Sequence, residues 1–302
     1  MRIVVALGGS ALLRRGEPMT IDNQRHNVRQ AAVGLAELAG RHQVVVTHGN
    51  GPQVGLLALQ AMAYPQVEAY PLDVMDAQTE GMIGYLIEAE LMNEMPAGAS
   101  CASLLTRVEV DADDPAFLFP TKPIGPDYDL ETTRRWKVEK GWAFVEASPG
   151  RWRRVVASPL PRRILPIDII SRLVEAGVVV ICAGGGGIPT VRGAGGRLEG
   201  VEAVIDKDYA AGLLAARLDA DALLLLTDVE AVFDGWGGPD PRPLHRVTPG
   251  ELSVMTFEPG SMGPKVAAAC EFVTARGGIA GIGALQDAGR ILEGLAGTLI
   301  RA

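Results

Sequence analysis

The sequence predicts an α/β fold in which helices cover both faces of a mostly parallel sheet. Short β-branched runs alternate with longer helical patterns, as parallel strands joined by crossover helices require. The strand runs are continuously apolar, as expected of strands buried on both faces. Each of them ends in a distinctive polar or glycine-rich loop, and ligands bind beyond the carboxyl ends of strands in such sheets.

The four expected strands are Ile3 to Leu7, Val44 to Thr47, Val178 to Cys182 and Leu223 to Thr227. Helical patterns occupy roughly residues 20–41, 51–62, 74–95, 166–176, 207–218 and 263–276. The loops after the strands are Gly8-Gly9-Ser10, His48-Gly49-Asn50-Gly51-Pro52-Gln53, Ala183-Gly184-Gly185-Gly186-Gly187-Ile188-Pro189 and Asp228-Val229. Glycine there lets the backbone approach a ligand and aim N–H groups at it. Residues 111–163 break the alternation. They are rich in Pro, Trp, Arg and acidic residues, and they read as an inserted, partly β subdomain with a small core of Phe117, Phe119, Trp136, Trp142, Phe144 and Trp152. That insert is either a lid carrying Lys122 or a purely structural addition.

Only five of the 302 residues are lysine, against 23 arginines, and three of the five lie in Gly- and Pro-rich or acidic loops: Lys122, Lys207 and Lys265. A compact ammonium on a slim stem enters a tight cavity and sits on a single oxygen, which the arginine fork does not do. The bias points to a buried anionic substrate, with phosphate the first choice. Lys137 and Lys140, in a charged stretch of the insert, receive no role.

Bulk properties narrow the class. At 48% hydrophobic residues the chain is an ordinary globular protein, and a net charge of −8 disfavours nucleic-acid and anionic-membrane partners. Cys101, Cys182 and Cys270 are odd in number and widely spaced, which suggests neither a disulfide framework nor a zinc knuckle. The apolar start is too short for a signal segment, and no apolar run reaches bilayer length, so a cytoplasmic location is expected. No protein-only metal site is expected from four dispersed histidines. The dipeptide Gly-Lys is absent, which removes the Walker A loop, and the first loop lacks the third glycine of a dinucleotide fingerprint. A nicotinamide or flavin enzyme is therefore a weak second class.

Taken in order, the loops resemble those of carbamate kinases in the amino acid kinase superfamily. The match comprises Ala6-Leu7-Gly8-Gly9, His48 to Gly55, Thr121-Lys122-Pro123-Ile124-Gly125-Pro126, the tetraglycine with Ile188-Pro189, Glu199 to Asp208, and Gly260-Ser261-Met262 with Lys265. It runs from residue 1 to about 300, and Ser10 stands where carbamate kinases usually carry asparagine. The resemblance implies a three-layer αβα sandwich with a protruding subdomain. It also implies one domain over 1–302, divided into an acceptor lobe of about 1–220 and a nucleotide lobe of about 221–302.

The reaction implied is reversible phosphoryl transfer between ATP and carbamate, giving ADP and carbamoyl phosphate, by a homodimer. Running towards ATP would serve arginine or related ureido catabolism. Carbamate presents an oxygen that is already anionic, so positioning and charge neutralisation suffice. The roles implied are Lys207, Lys265 and a lid-borne Lys122 around the phosphoryl group, with Asp208 orienting the lysines and Asp206 behind it. Gly8, Gly9 and Ser10 would hold phosphates. Gly49, Asn50, Gly51, Gly185 and Gly186 would hold carbamate, with His48 as scaffold. Thr227, Asp228, Val229, Val232, Phe233 and Met262 would line the nucleotide pocket, with Mg2+ carried mainly by the nucleotide phosphates. Two alternatives stay open: another superfamily phosphotransferase acting on a small acid, and a nucleotide-binding sensor with weakened catalysis.

Overall fold

A computed structural model of the chain describes all residues except 15, 65 and 259, and only the backbone of residue 10. Its main sheet has eight strands, in the spatial order Arg246–Val247, Thr298–Ile300, Ile279–Ala284, Ala222–Thr227, Arg2–Leu7, Gln43–His48, Val179–Cys182 and Cys101–Leu104. All neighbours run parallel except Ile279–Ala284 with Thr298–Ile300. Successive side chains of a strand point to opposite faces, and here both faces are dry. Val4, Ala6, Val45, Leu223 and Leu225 pack against the helices Lys207–Arg217, Met262–Arg276 and Ile167–Glu175. Ile3, Val5, Leu7, Val46 and Leu224 pack against Ile21–Ala39 and Leu72–Glu94 on the other side. The architecture is the expected three-layer αβα sandwich, and no described helix is long and apolar enough to cross a membrane.

The four expected strands and six expected helices are all present within a few residues of their predicted limits. Four strands of the main sheet escaped the periodicity argument, the short Arg246–Val247 and Thr298–Ile300 among them. Ile279–Ala284 carries glycine at 281 and 283, and a Cβ at Gly281 would come within 2.4 Å of Ile291 Cγ2. Close helix packing, not β-propensity, selects its sequence. Cys101–Leu104, at the opposite edge, is only four residues long.

The insert differs from expectation in two respects. It holds an antiparallel sheet of Lys122–Tyr128, Arg151–Val156 and Ala143–Ser148, but also an eleven-residue helix, Leu130–Lys140. Asp129 caps that helix by accepting the Thr132 N–H at 2.7 Å, and Gly141 ends it in the left-handed region at φ 67°. Lys137 and Lys140 occupy its last turn, where a cation meets the negative end of the helix dipole, and Lys137 Nζ sits 5.3 Å from the centre of the Trp152 ring. The small core is also rearranged. Tyr128 stands edge-on to Trp136 and Phe144, whereas Phe117 packs against the main core and Phe119 is exposed.

Candidate active site

Register builds the site. Leu7 is level with His48 on one side and Leu226 on the other, so three strands end side by side. The ladder continues one step further, with the Gly8 N–H donating to Leu226 O at 2.8 Å and the Gly49 N–H to Leu7 O at 3.1 Å. A Cβ on Gly49 would lie 3.5 Å from Lys207 Cδ and 3.6 Å from Gly9 N. The loops of the first two strands and Lys207 therefore converge on one point.

Lys207 opens the helix Lys207–Arg217, whose cap is Asp206: its Oδ1 accepts the Asp208 N–H at 2.9 Å. From the next residue, Asp208, the carboxylate reaches two ammonium groups, Lys207 Nζ at 2.5 Å and Lys265 Nζ at 3.1 Å. All three side chains are nearly buried, at 12%, 5% and 12% exposure for Lys207, Asp208 and Lys265. Burial pushes the Asp208 carboxyl up, but Lys207 and Lys265 outweigh it and hold the group below its ordinary range. Burial also pushes the Lys265 ammonium down, and the like charge of Lys207 adds to this against the pull of Asp208. Two cations sharing one anion leave an excess of positive charge in a poorly solvated place, which suits a phosphoryl group.

Lys122, expected to arrive on closure of a lid, is already beside this cluster and pairs with Asp206. It begins the first strand of the insert sheet. That strand is held close by glycine, since a Cβ on Gly55 would come within 2.1 Å of Gly125 Cα.

The tetraglycine loop turns through a run of positive φ: 52° at Ala183, 69° at Gly185, 99° at Gly186 and 86° at Gly187. Cβ atoms at Gly184, Gly185 and Gly186 would meet His48 Nε2 at 2.2 Å, Asn50 Nδ2 at 2.3 Å and Ile205 O at 2.4 Å. The loop thus lies against His48 and Asn50. Gly186, predicted to offer its N–H to carbamate, instead closes the turn by donating to Ala183 O at 3.1 Å. The Asn50 amide N–H₂ is also committed, donating to Asp76 Oδ1 and Thr79 Oγ1 at 2.9 Å each, so the backbone N–H is the donor it can offer an anion. Gly51 starts the helix Gly51–Ala63, whose N-terminus favours an anion. Burial pushes the His48 imidazole down to about 4, and its Nδ1–H donates to Gly49 O at 3.1 Å. The ring is therefore neutral at neutral pH.

Sequence reasoning missed the support beneath these loops. Glu80 accepts the Thr106 N–H at 3.0 Å and the Gly184 N–H at 2.9 Å, one on each oxygen. Burial pushes its carboxyl up to about 8 despite those two donors, and burial likewise holds Asp76 well above the carboxylate range. Two acids four residues apart in the largely apolar Leu72–Glu94 helix were the available signal, because such spacing puts them on one face.

Beyond the lysines opens a cavity of about 870 Å³ lined by Thr227, Asp228, Val229, Phe233, Met262 and Lys265. Lys265 belongs to both the cavity and the charged cluster. Trp236, not anticipated, adds an aromatic wall 5.2 Å from Phe233. Val232 is instead fully buried in the main core, its N–H bonded to Thr298 Oγ1 at 2.8 Å. Gly8 and Gly9 stand at the mouth of the first loop, while the side chain of Ser10 lies outside the described residues.

The family model described as "Amino acid kinase family" matches residues 1–281. The chain belongs to the amino acid kinase family. Within this family of kinases, the carbamate kinase of Rhizobium meliloti is 55% identical over 302 residues, covering 99% of this chain and 93% of its own length. The carbamate kinase of Haemophilus influenzae is 53% identical over 300 residues, covering 99% and 96%. Among solved structures of the family, the carbamate kinase from Giardia lamblia bound to AMP-PNP superposes with a TM-score of 0.91 at 38% identity, covering 99% of this chain and 98% of that one. These relatives put this amino acid kinase in the carbamate kinase branch.

Proposed function

We propose that the enzyme transfers a phosphoryl group reversibly between ATP and carbamate, giving ADP and carbamoyl phosphate. The observation that carries this is the pair Lys207 and Lys265 sharing Asp208 at the inner end of a nucleotide-sized cavity. Carbamate attacks through an anionic oxygen and needs no base, in keeping with a buried, neutral His48. Lys265 meets the nucleotide phosphates, Lys207 meets the oxygens of the transferring group, and Lys122 adds a third positive charge from the insert. Asp208 fixes the two ammoniums before substrate arrives, so little reorganisation is left to the reaction step. Gly9 and Ser10 hold phosphate oxygens and the backbone of Asn50, Gly51 and Gly185 cradles carbamate, whereas the Gly8 and Gly49 N–H groups, expected to do the same, are spent on Leu226 O and Leu7 O.

The acceptor lobe is residues 1–220 and the nucleotide lobe 221–302 in this reading. Asp208 is already engaged by two lysines, so Mg2+ would be held mainly by the nucleotide phosphates, where it would supply charge neutralisation. The enzyme works in the cytoplasm, in arginine or related ureido catabolism, with ATP formation as its direction. It is a homodimer joined along the Cys101–Leu104 edge, where Met82, Tyr85 and Met92 of the adjacent helix and Leu105 are exposed. The other two readings, a phosphotransferase for a different acid and a weakened sensor, gain nothing from relatives that are carbamate kinases. The test is to supply carbamoyl phosphate and Mg-ADP and measure ATP. Formation well above a Lys265→Ala control is expected, and none above it would overturn the assignment.

A further inference from the structure

A larger cavity, about 1110 Å³, lies away from the lysine cluster. One wall is the end of the Gly51–Ala63 helix with residues 67–72, and the other is the insert, through its helix and Trp142. At its floor Arg154 is 8% exposed, and its guanidinium carbon lies 3.7 Å from the centre of the Trp142 ring. Its Nε is buried without a hydrogen-bond partner, and among the described residues no carboxylate pairs with it. Burial pushes the guanidinium pKa down, with Glu202 and Tyr128 opposing from a distance. Glu202, which also lines this cavity, accepts the Leu72 N–H at 2.8 Å and makes no ion pair with Arg154. The rim carries Arg135 and Lys140 along with Glu68 and Glu139, all exposed, so the uncompensated charge is at the floor.

A buried cation without a counter-ion is costly, because aromatic stacking replaces only part of its hydration. The arrangement is relieved when an anion from solution completes it. We propose that this cavity is a second ligand site, for a small organic acid or phosphate ester whose oxyanion sits on the Arg154 fork beside Trp142. Arginine matches planar carboxylates and phosphates through paired N–H donors, and the volume is that of a small-molecule site, not of a lone ion. Arg154 stands opposite Ile124 on the strand that begins with Lys122. An occupant would therefore tie the insert to the main body close to a residue of the lysine cluster. The site does not depend on the proposed reaction.

The test is a fluorescence titration, since three of the four tryptophans lie in the insert. It is done in the full-length Lys207→Ala/Lys265→Ala protein, which weakens anion binding at the first site. Inorganic phosphate and malonate are the two probes, and their relative affinities distinguish a phosphate from a carboxylate site. A saturable change with at least one is expected, with its Kd raised about 10-fold or more by Arg154→Met, the scale of one charged hydrogen bond. Should that variant fail to fold, Arg154→Lys keeps the charge without the fork and is expected to weaken binding about 5-fold. No saturable change with either probe, or an unaltered Kd in a folded Arg154 variant, overturns the proposal.

Discussion

Lys265 Nζ reaches 3.1 Å across to Asp208 Oδ2, joining the first turns of two helices that start from different parts of the chain. Through this contact the cavity lined by Lys265 and the loops that end the first two strands share one electrostatic unit. Lys265 lines the cavity, whereas Lys207, on the other oxygen of Asp208, lies against Gly49.

Asp208→Asn removes the charge that both lysines share. Turnover is expected to fall about 100-fold or more, the scale lost when a preorganised transition-state group is disturbed. Breaking a buried pair leaves uncompensated cations, so stability should fall by about 3–5 kcal/mol. Initial rates and thermal unfolding of the variant check both, and unchanged turnover would refute the role given to Asp208.

Gly55→Ala tests the seat of the insert. The new methyl meets Gly125 Cα at 2.1 Å, so the strand carrying Lys122 must shift. A displacement of about 1 Å at a charged group costs roughly 100-fold in rate. Circular dichroism should remain near normal while kcat falls, and unaltered kinetics would mean that Lys122 does not act from this position.

Glu80 makes stability depend on pH in a stated direction. Its carboxyl is raised from 4.5 to about 8 in the folded chain, so between those values the folded state holds a proton that the unfolded chain has released. Stability from this group is therefore present at low pH, falls as pH rises through that window and levels off above it. Its slope is at most about 1.4 kcal/mol per pH unit. Glu80→Gln should flatten the wild-type profile between about pH 5 and 8, and it should cost about 1–3 kcal/mol at the acid end, because its amide N–H₂ opposes one backbone donor. Parallel profiles would contradict this reading.

Dimerisation along the Cys101–Leu104 edge predicts that Tyr85→Glu combined with Met82→Lys yields monomer. Sedimentation should show the wild type at twice the mass of the variant. A wild-type monomer, or a variant that still dimerises, would place the contact elsewhere or remove it.

The parts of this fold legible in the sequence were those whose composition is set by a repeating environment. Strands such as Leu223 to Thr227 are apolar throughout because both faces are covered, and their loops are glycine-rich because backbone must pass close to other groups. Ile279–Ala284 was illegible for the opposite reason, its glycines being selected by the approach of Ile291 and Leu224. The lysines could be singled out because the chain uses so few, but their sharing of Asp208 is a tertiary fact. Glu80 and Gly186 mark a further boundary. Sequence supplies a donor or an acid, whereas only the fold decides whether it faces a ligand or is committed inside. Val232 went astray similarly, as an apolar residue next to a pocket reads the same as one behind it.

The most direct test of the lysine clamp is the turnover of Lys207→Arg in ATP formation from carbamoyl phosphate and Mg-ADP. Arginine keeps the charge and the ion pair with Asp208 but cannot place a compact ammonium in a space bounded by Gly49 and Asp208. Folding should be intact and kcat lower by about 100-fold or more. Near-normal kcat would contradict the clamp.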